Sequence, residues 1–255
     1  MTVEVSEGKA HLRLRGCTKI FGGLTAVNSV DLEVLHGTIT GLIGPNGAGK
    51  TTLLNLIAGT LPVTRGEIVL EEKVITNMKA FERAKTGIGR TFQIPKPFTA
   101  MSVLENVQTA ALFGSGQKIT TGTQVEWVDA VLEKTKLADR KKSWVTELNL
   151  AERKSLELAK ALATRPSLLL LDEVMAGLNA KETFGVMKIV RDINESGVTV
   201  ILVEHVMRIT MEISQRIVVM HYGQKIAEGT PQVVVKDPAV IEAYFGRRYA
   251  SRFGQ

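Results

Sequence analysis

The run Gly44-Pro-Asn-Gly-Ala-Gly-Lys50-Thr51-Thr52 sets a glycine, four residues, then Gly-Lys-Thr, the spacing of a phosphate-binding loop. Glycines there let successive backbone amides curl around phosphate oxygens, and the loop closes at a helix N-terminus whose free N–H groups attract the same anion. Asn46, Gly47, Ala48 and Gly49 supply the cradle, and Thr52 extends it. Lys50 places a point charge between the β- and γ-phosphates of a nucleoside triphosphate, and the Thr51 hydroxyl is placed to ligate Mg²⁺. The context fits: Ile39–Ile43 reads as a buried strand running into the loop, and Leu53, Leu54, Leu56 and Ile57 follow with helical spacing. A chance glycine turn has neither flank.

A second element narrows the chemistry. Leu168-Leu-Leu-Leu-Asp172-Glu173 is an apolar strand ending in two carboxylates. Burying it brings Asp172 beside the phosphate loop, where it holds the Mg²⁺ shell; Glu173 at the strand's mouth polarises a water in line with the γ-phosphate as general base. The plainer reading, two acids ending a strand, loses ground beside the loop. Gln93, in Arg90-Thr-Phe-Gln-Ile-Pro, and His205, in Ile201-Leu-Val-Glu-His, are weaker signals, since a lone Gln is ordinarily surface and a lone His structural. Both end apolar runs, at the edge of a parallel sheet where ligands bind; there Gln93 reaches Mg²⁺ or the attacking water, and His205 donates to the γ-phosphate. No Asn-Lys-x-Asp motif for reading guanine occurs.

The elements that must position these groups follow from hydrophobic period. Residues 11–16 and 29–35 alternate as half-buried strands, and 67–71 resembles an edge-type strand. Ser102 with Glu105 is a capping box opening a helix over 103–112. Further helices are expected over 124–137 and 152–163, the latter stopped at Arg165-Pro166. Strands at 168–171, 198–203 and 216–220 then alternate with helices at 181–194 and 205–213, the signature of a parallel sheet with crossovers. The expected fold is α/β: a P-loop NTPase core with a mostly parallel sheet, an N-terminal antiparallel β-subdomain, and an inserted helical subdomain at about 100–160 that divides the core into 1–99 and 161–255.

The 255 residues suit one large domain, and 44% hydrophobic with 23% charged residues is an ordinary soluble balance. The single cysteine, Cys17, excludes an internal disulfide, fits a reducing compartment and reads as a small half-buried core residue. The acidic N-terminus lacks an apolar stretch, so no signal peptide is expected. No run of roughly 18 apolar residues occurs, which makes any membrane role peripheral. The net charge of +6 points to an anionic neighbour: nucleotide, nucleic acid or lipid headgroups. Part of it lies in Arg247, Arg248 and Arg252 and part in Arg140-Lys141-Lys142, runs that read equally well as solvated faces.

The order and spacing of these elements resemble the ATP-binding cassette (ABC) ATPases over nearly the whole chain. The resemblance implies that Phe21 stacks on adenine with Val27 in the same nucleotide site. It makes Gly44 to Thr52 Walker A, Gln93 the Q-loop glutamine, Asp172 and Glu173 Walker B with its catalytic base, and His205 the switch histidine. It further implies ATP and Mg²⁺ as cofactors and two ATPase subunits sandwiching two ATPs head to tail. Their closure drives membrane partners through a socket formed by residues 93–98 and the helical subdomain. The chain is similar, more narrowly, to the ATPase subunits of branched-chain amino acid importers, through Arg90-Thr-Phe-Gln, Val103-Leu-Glu-Asn-Val, Asp172-Glu-Val-Met-Ala-Gly-Leu-Asn179, Val203-Glu-His-Val-Met207 and the closing Ile241-Glu-Ala-Tyr-Phe-Gly246. Importers for urea and short amides share these.

Partners implied are a second ATPase subunit, identical or different, two membrane-spanning permease subunits and, indirectly, an extracytoplasmic substrate-binding protein, at the cytoplasmic face of the cell membrane. No nucleic acid is expected: soluble cassettes that act on it usually carry two cassettes or a long coiled coil, and this chain has one cassette and no heptad run. The family's signature loop, Leu-Ser-Gly-Gly-Gln, aligns with Leu148-Asn149-Leu150-Ala151-Glu152, and its D-loop aspartate with Asn179. Asn149 retains a hydrogen-bonding cap, whereas Leu150 and Ala151 add Cβ atoms and Glu152 a negative charge where a partner's γ-phosphate is held. An alternative is thereby set out: a module that closes on ATP but hydrolyses it weakly.

Overall fold

The alternation at 11–16 and 29–35 belongs to two longer strands, β1 (Ala10–Phe21) and β2 (Leu24–Leu35), joined by a tight turn at Gly22-Gly23. The computed structural model describes residues 9–114 and 121–246; the N-terminal residues 1–8 and the basic positions Arg247, Arg248 and Arg252 lie outside them. After β3 (Ile39–Ile43) come α1 (Lys50–Ala58), β4 (Arg65–Leu70), β5 (Lys73–Val74), α2 (Ala80–Lys85) and β6 (Ile88–Arg90). Three helices follow, α3 (Val103–Leu112), α4 (Thr121–Lys134) and α5 (Leu150–Ala163). The chain closes with β7 (Leu168–Asp172), α6 (Ala180–Glu195), β8 (Thr199–Val203), α7 (Met207–Ile213), β9 (Arg216–His221), β10 (Gln224–Gly229), α8 (Pro231–Val234) and α9 (Pro238–Phe245).

Two sheets result. The first is antiparallel, ordered β2-β1-β4-β5. The second, ordered β10-β9-β3-β8-β7-β6, is parallel throughout except where β10 turns back on β9. The expected α/β architecture with its N-terminal antiparallel layer therefore stands. One strand is corrected: residues 67–71 do not form an edge, because β4 lies between β1 and the two-residue β5 and buries Ile68, Val69 and Leu70. Cys17 is likewise fully buried rather than half-buried, its thiol donating to the Glu67 carbonyl and pushed up to about 11 by burial.

The parallel strands are apolar on both faces because both are covered. Leu169, Leu171, Val200 and Leu202 share one cluster with Val103, Val107, Val128, Leu132 and Leu156 of the helical layer. Their neighbours Leu168, Leu170, Ile201 and Val203 point the other way, into a cluster with Leu12, Leu14 and Val30 of the antiparallel sheet and Leu53, Leu54 and Leu56 of α1. The period of two thus builds a three-layer sandwich in one stroke. Ser102 caps α3 by accepting from the Glu105 N–H, and the Glu105 carboxylate accepts from the Ser102 N–H.

Candidate functional site

The register of the parallel sheet decides what meets what. Leu42 of β3 and Asp172 of β7 both pair with Val203 of β8, from opposite sides. At about 4.8 Å per strand they stand roughly 10 Å apart, and the chain leaves both strands on the same edge of the sheet. Lys50 and Asp172, far apart in sequence, are thereby brought to one place.

From β3 the chain turns through residues 44–49 into α1. Gly49 is the N-cap residue, with φ 98°, and no side chain caps the helix, so its first N–H groups stay open to a ligand. A Cβ at Gly49 would sit 2.4 Å from the Ala26 carbonyl, and one at Gly44 2.1 Å from the Met220 carbonyl; only glycine lets the loop nest this closely on β2 and β9. The buried Lys50 ammonium donates to the Gly44 and Pro45 carbonyls at 2.7 and 3.0 Å. Burial lowers its pKa, and the charges of Glu173 and Asp172 raise it again.

Phe21, Leu24, Ala26, Asn46 to Thr52, Gln93, Glu173 and His205 line one cleft of about 590 Å³. Phe21 and Thr51 are exposed at its mouth. Val27 is placed differently from the sequence expectation: its side chain is 0% exposed, packed in the core beneath the cleft, and Ala26 and Leu24 take the lining positions. Asp172 is buried beside the cleft, near enough for its charge to act on Lys50; its pKa is raised by desolvation and drawn back by Arg90, whose guanidinium lies 3.3 Å from Oδ2. The other oxygen, Oδ1, has no hydrogen-bond partner among the described residues.

Glu173 has φ 53°, a left-handed conformation that a non-glycine residue holds only when its surroundings impose it. Its N–H donates to the Val203 carbonyl, which turns the side chain from the sheet into the cleft. There Oε2 accepts from Gln93 Nε2 at 2.6 Å and Oε1 meets His205 Nε2 at 2.5 Å. Beneath it the buried Lys154 of α5 donates to the carbonyls of Gln93 and Glu173 at 3.0 and 2.9 Å. Glu204 accepts from the Met175 N–H, and burial pushes its carboxyl up to about 7.

Arg90, Lys154 and Glu204 were not singled out from sequence. Arg90 and Glu204 stand inside the runs that carry Gln93 and His205; Lys154 has no local signal, since its partners lie on two other segments.

Residues 148–152, expected from the sequence to form the signature loop, stand apart from this cleft, at the head of α5. Asn149 accepts from the Glu152 N–H, and Glu152 accepts from the Asn149 N–H at 2.9 Å and from Arg140 at 2.8 Å. The Glu152 charge is thus drawn back onto the cap and a guanidinium, while Leu150 remains exposed. Asn179 caps α6 in the same manner through Glu182. Ile94 (72% exposed), Pro95, Pro97, Val145, Leu150 and Arg153 border a second cavity of about 310 Å³ on this side.

A phosphate loop closing a central parallel strand, paired acids one strand over, an antiparallel sheet on one face and a helical layer on the other define a cassette-type nucleotide-binding ATPase. The chain belongs to the ABC transporter family, whose model matches residues 27–176; a second model, branched-chain amino acid ATP-binding cassette transporter, matches residues 224–250. The high-affinity branched-chain amino acid transport ATP-binding protein LivG of Salmonella typhimurium is 36% identical over 252 residues, covering 92% of this chain and 97% of that protein. BraF of Pseudomonas aeruginosa, described in the same words, is 36% identical over 248 residues, with the same two shares. A nucleotide-free ATP-binding cassette from an ABC transporter superposes with TM-score 0.85 at 32% identity, covering 93% of this chain and 100% of that one. The ADP conformation of MJ1267, another such cassette, does so with the same TM-score and identity, covering 93% and 99%. No helix among the described residues is long and apolar enough to cross a membrane.

Proposed function

We propose that this chain is the ATP-hydrolysing subunit of a membrane importer for branched-chain amino acids. The observation that carries it is the convergence of Lys50, Thr51, Gln93, Glu173 and His205 on one cleft, joined to relatives of that description over almost the full length. In this reading Asn46 to Thr52 cradle the phosphates, Phe21 faces the adenine, and Glu173 takes the proton of the attacking water. His205 and Gln93 orient that water and the γ-phosphate.

Mg²⁺ fits the residues present: the unpartnered Asp172 Oδ1, the exposed Thr51 hydroxyl and the Gln93 amide are oxygen donors of the type that ion takes. When bound it supplies charge neutralisation across the β- and γ-phosphate oxygens. Arg90 balances the Asp172 charge from the other side.

We read residues 100–160 as the helical subdomain and the remainder as the catalytic core. The exposed Ile94 and Phe98, with the cavity beside them, suit an apolar helix end presented by a membrane-spanning permease subunit at the cytoplasmic face. A second ATPase subunit supplies the signature loop in trans. The altered loop at Asn149, Leu150, Ala151 and Glu152 favours a partner different from this chain, so that each Walker site meets a different signature.

The test is phosphate release by the assembled transporter. Glu173→Gln should lower the rate about 10²- to 10⁴-fold while ATP binding persists. A rate equal to that of the parent would remove Glu173 from the chemistry. A purified homodimer as fast as the full assembly would refute the unlike partner.

A further inference from the structure

At the opposite end of the parallel strands from the phosphate loop, three ligand-bearing side chains converge. His11, from the start of β1, and His36, in the turn between β2 and β3, stack face to face with ring centroids 3.9 Å apart and planes 8° from parallel. Each Nε2 lies 3.9 Å from the same oxygen, Oε1 of Glu71 in the β4–β5 turn. That distance is too long for a hydrogen bond. The three ligand atoms all lie within 4.8 Å of one another, and because the stacked rings aim their lone pairs side by side, the exposed His36 ring must turn for both to meet one ion.

The surroundings are those of a built site. His11 is 1% exposed, and its Nδ1 lies 2.6 Å from the Thr199 hydroxyl, which also accepts from the Gly37 N–H. A hydrogen-bond partner on the far nitrogen is what orients a metal-ligating imidazole. Ser167 Oγ shares a 3.2 Å hydrogen bond with His11 Nε2, a contact that a bound ion would displace. Glu71 holds a left-handed backbone with φ 54°, and its N–H donates to the His11 carbonyl at 2.6 Å, tying the carboxylate's turn to the histidine's strand. His36 and Glu71 side chains are 39% and 56% exposed, leaving one side open to water.

We propose that His11, His36 and Glu71 form a site for a borderline divalent transition ion, Zn²⁺ foremost, with water as fourth ligand. Two imidazoles and one carboxylate are a donor set that Zn²⁺ favours, and Mg²⁺ and Ca²⁺ prefer all-oxygen cages. Tetrahedral coordination asks for ligand atoms roughly 3.3 Å apart, which swings of the two exposed side chains supply while His11 stays fixed. The ion would clip together the start of β1, the turn before β3, the β4–β5 turn and, through Thr199, the start of β8. Its role is to fasten the antiparallel layer to the parallel sheet. It does not rest on the reading of the nucleotide cleft and does not fall with it.

The test is a calorimetric titration of the full chain with Zn²⁺, with excess Mg²⁺ present to occupy the carboxylates of the cleft. Thermal melts accompany it, as does Co²⁺ substitution read by the visible bands of tetrahedral coordination. One ion per chain and a melting midpoint raised by roughly 5–10 °C at hundredfold saturation are expected, and both should vanish in His36→Ala and in Glu71→Gln. These two side chains are surface-accessible, so the variants keep the fold, which circular dichroism checks. Unchanged Zn²⁺ binding in either variant, or none in the parent at micromolar ion, would overturn the site.

Discussion

Gln93 and Glu173 are joined by a 2.6 Å hydrogen bond across 80 residues of chain. His205 holds the other oxygen of the same carboxylate. Each oxygen of the Glu173 carboxylate, the proposed general base, is therefore already engaged by one side chain. Gln93→Ala removes one of these contacts together with the amide proposed to face Mg²⁺ and the water. Hydrolysis by the assembled transporter should fall about ten- to a hundredfold, with nucleotide affinity in the absence of Mg²⁺ unchanged. An undiminished rate would show the contact to be incidental.

Lys154 ties the helical layer to the cleft, donating to the backbone of both Gln93 and Glu173 from within the protein. Lys154→Met leaves two carbonyls short of a donor, each costing about 1–3 kcal/mol. Lowered thermal stability and lowered hydrolysis are expected together, and Lys154→Arg should restore most of both. Loss of stability with full hydrolysis retained would make the residue a packing element alone.

Glu204 gives a pH dependence whose sign is fixed. Its folded-state pKa, about 7, lies above the unfolded value of 4.5 because burial penalises the charge. The folded state therefore holds the proton more tightly, and stability is lost as pH rises from about 5 through 7. Glu204→Gln keeps the acceptor for the Met175 N–H and removes the titration. Its stability relative to the parent should grow by about 1–3 kcal/mol between pH 5 and 8, measured by denaturant melts; a constant difference would contradict the assignment.

Arg83 is 1% exposed and donates to four backbone carbonyls: Leu56 and Ile57 at the end of α1, then Thr76 and Met78. Helix ends leave such carbonyls unpaired, and here one guanidinium collects them. Arg83→Leu should destabilise the chain by more than about 3 kcal/mol, and Arg83→Lys should recover little, since an ammonium cannot span the four. A shift under about 1 kcal/mol would refute this role.

The sequence disclosed the elements whose signals are local. The Ser102–Glu105 box set the start of α3 to the residue, and β3 ran from Ile39 to Ile43 as its apolar pattern required. Three-residue β6 and six-residue α2 carry too few positions for a period to show. β4 was misplaced at an edge because alternation reports one buried face and says nothing of lateral neighbours. In the cleft, residues in spaced motifs were legible; Lys154, whose partners lie 61 and 19 residues away, was not. Val27 shows the limit in the other direction: it sits one residue past the cleft-lining Ala26, and strand alternation sends its side chain to the core.

In the proposed function Lys50 and Asp172 act together on one metal-bound triphosphate. The most direct test is a fluorescence titration of the full chain with an ATP analogue, with and without Mg²⁺, in the parent, Lys50→Ala and Asp172→Asn. Tighter binding on adding Mg²⁺ in the parent, loss of affinity in Lys50→Ala, and retained affinity without the Mg²⁺ gain in Asp172→Asn are predicted. Absence of binding in the parent, or an Mg²⁺ gain undiminished in Asp172→Asn, would contradict it.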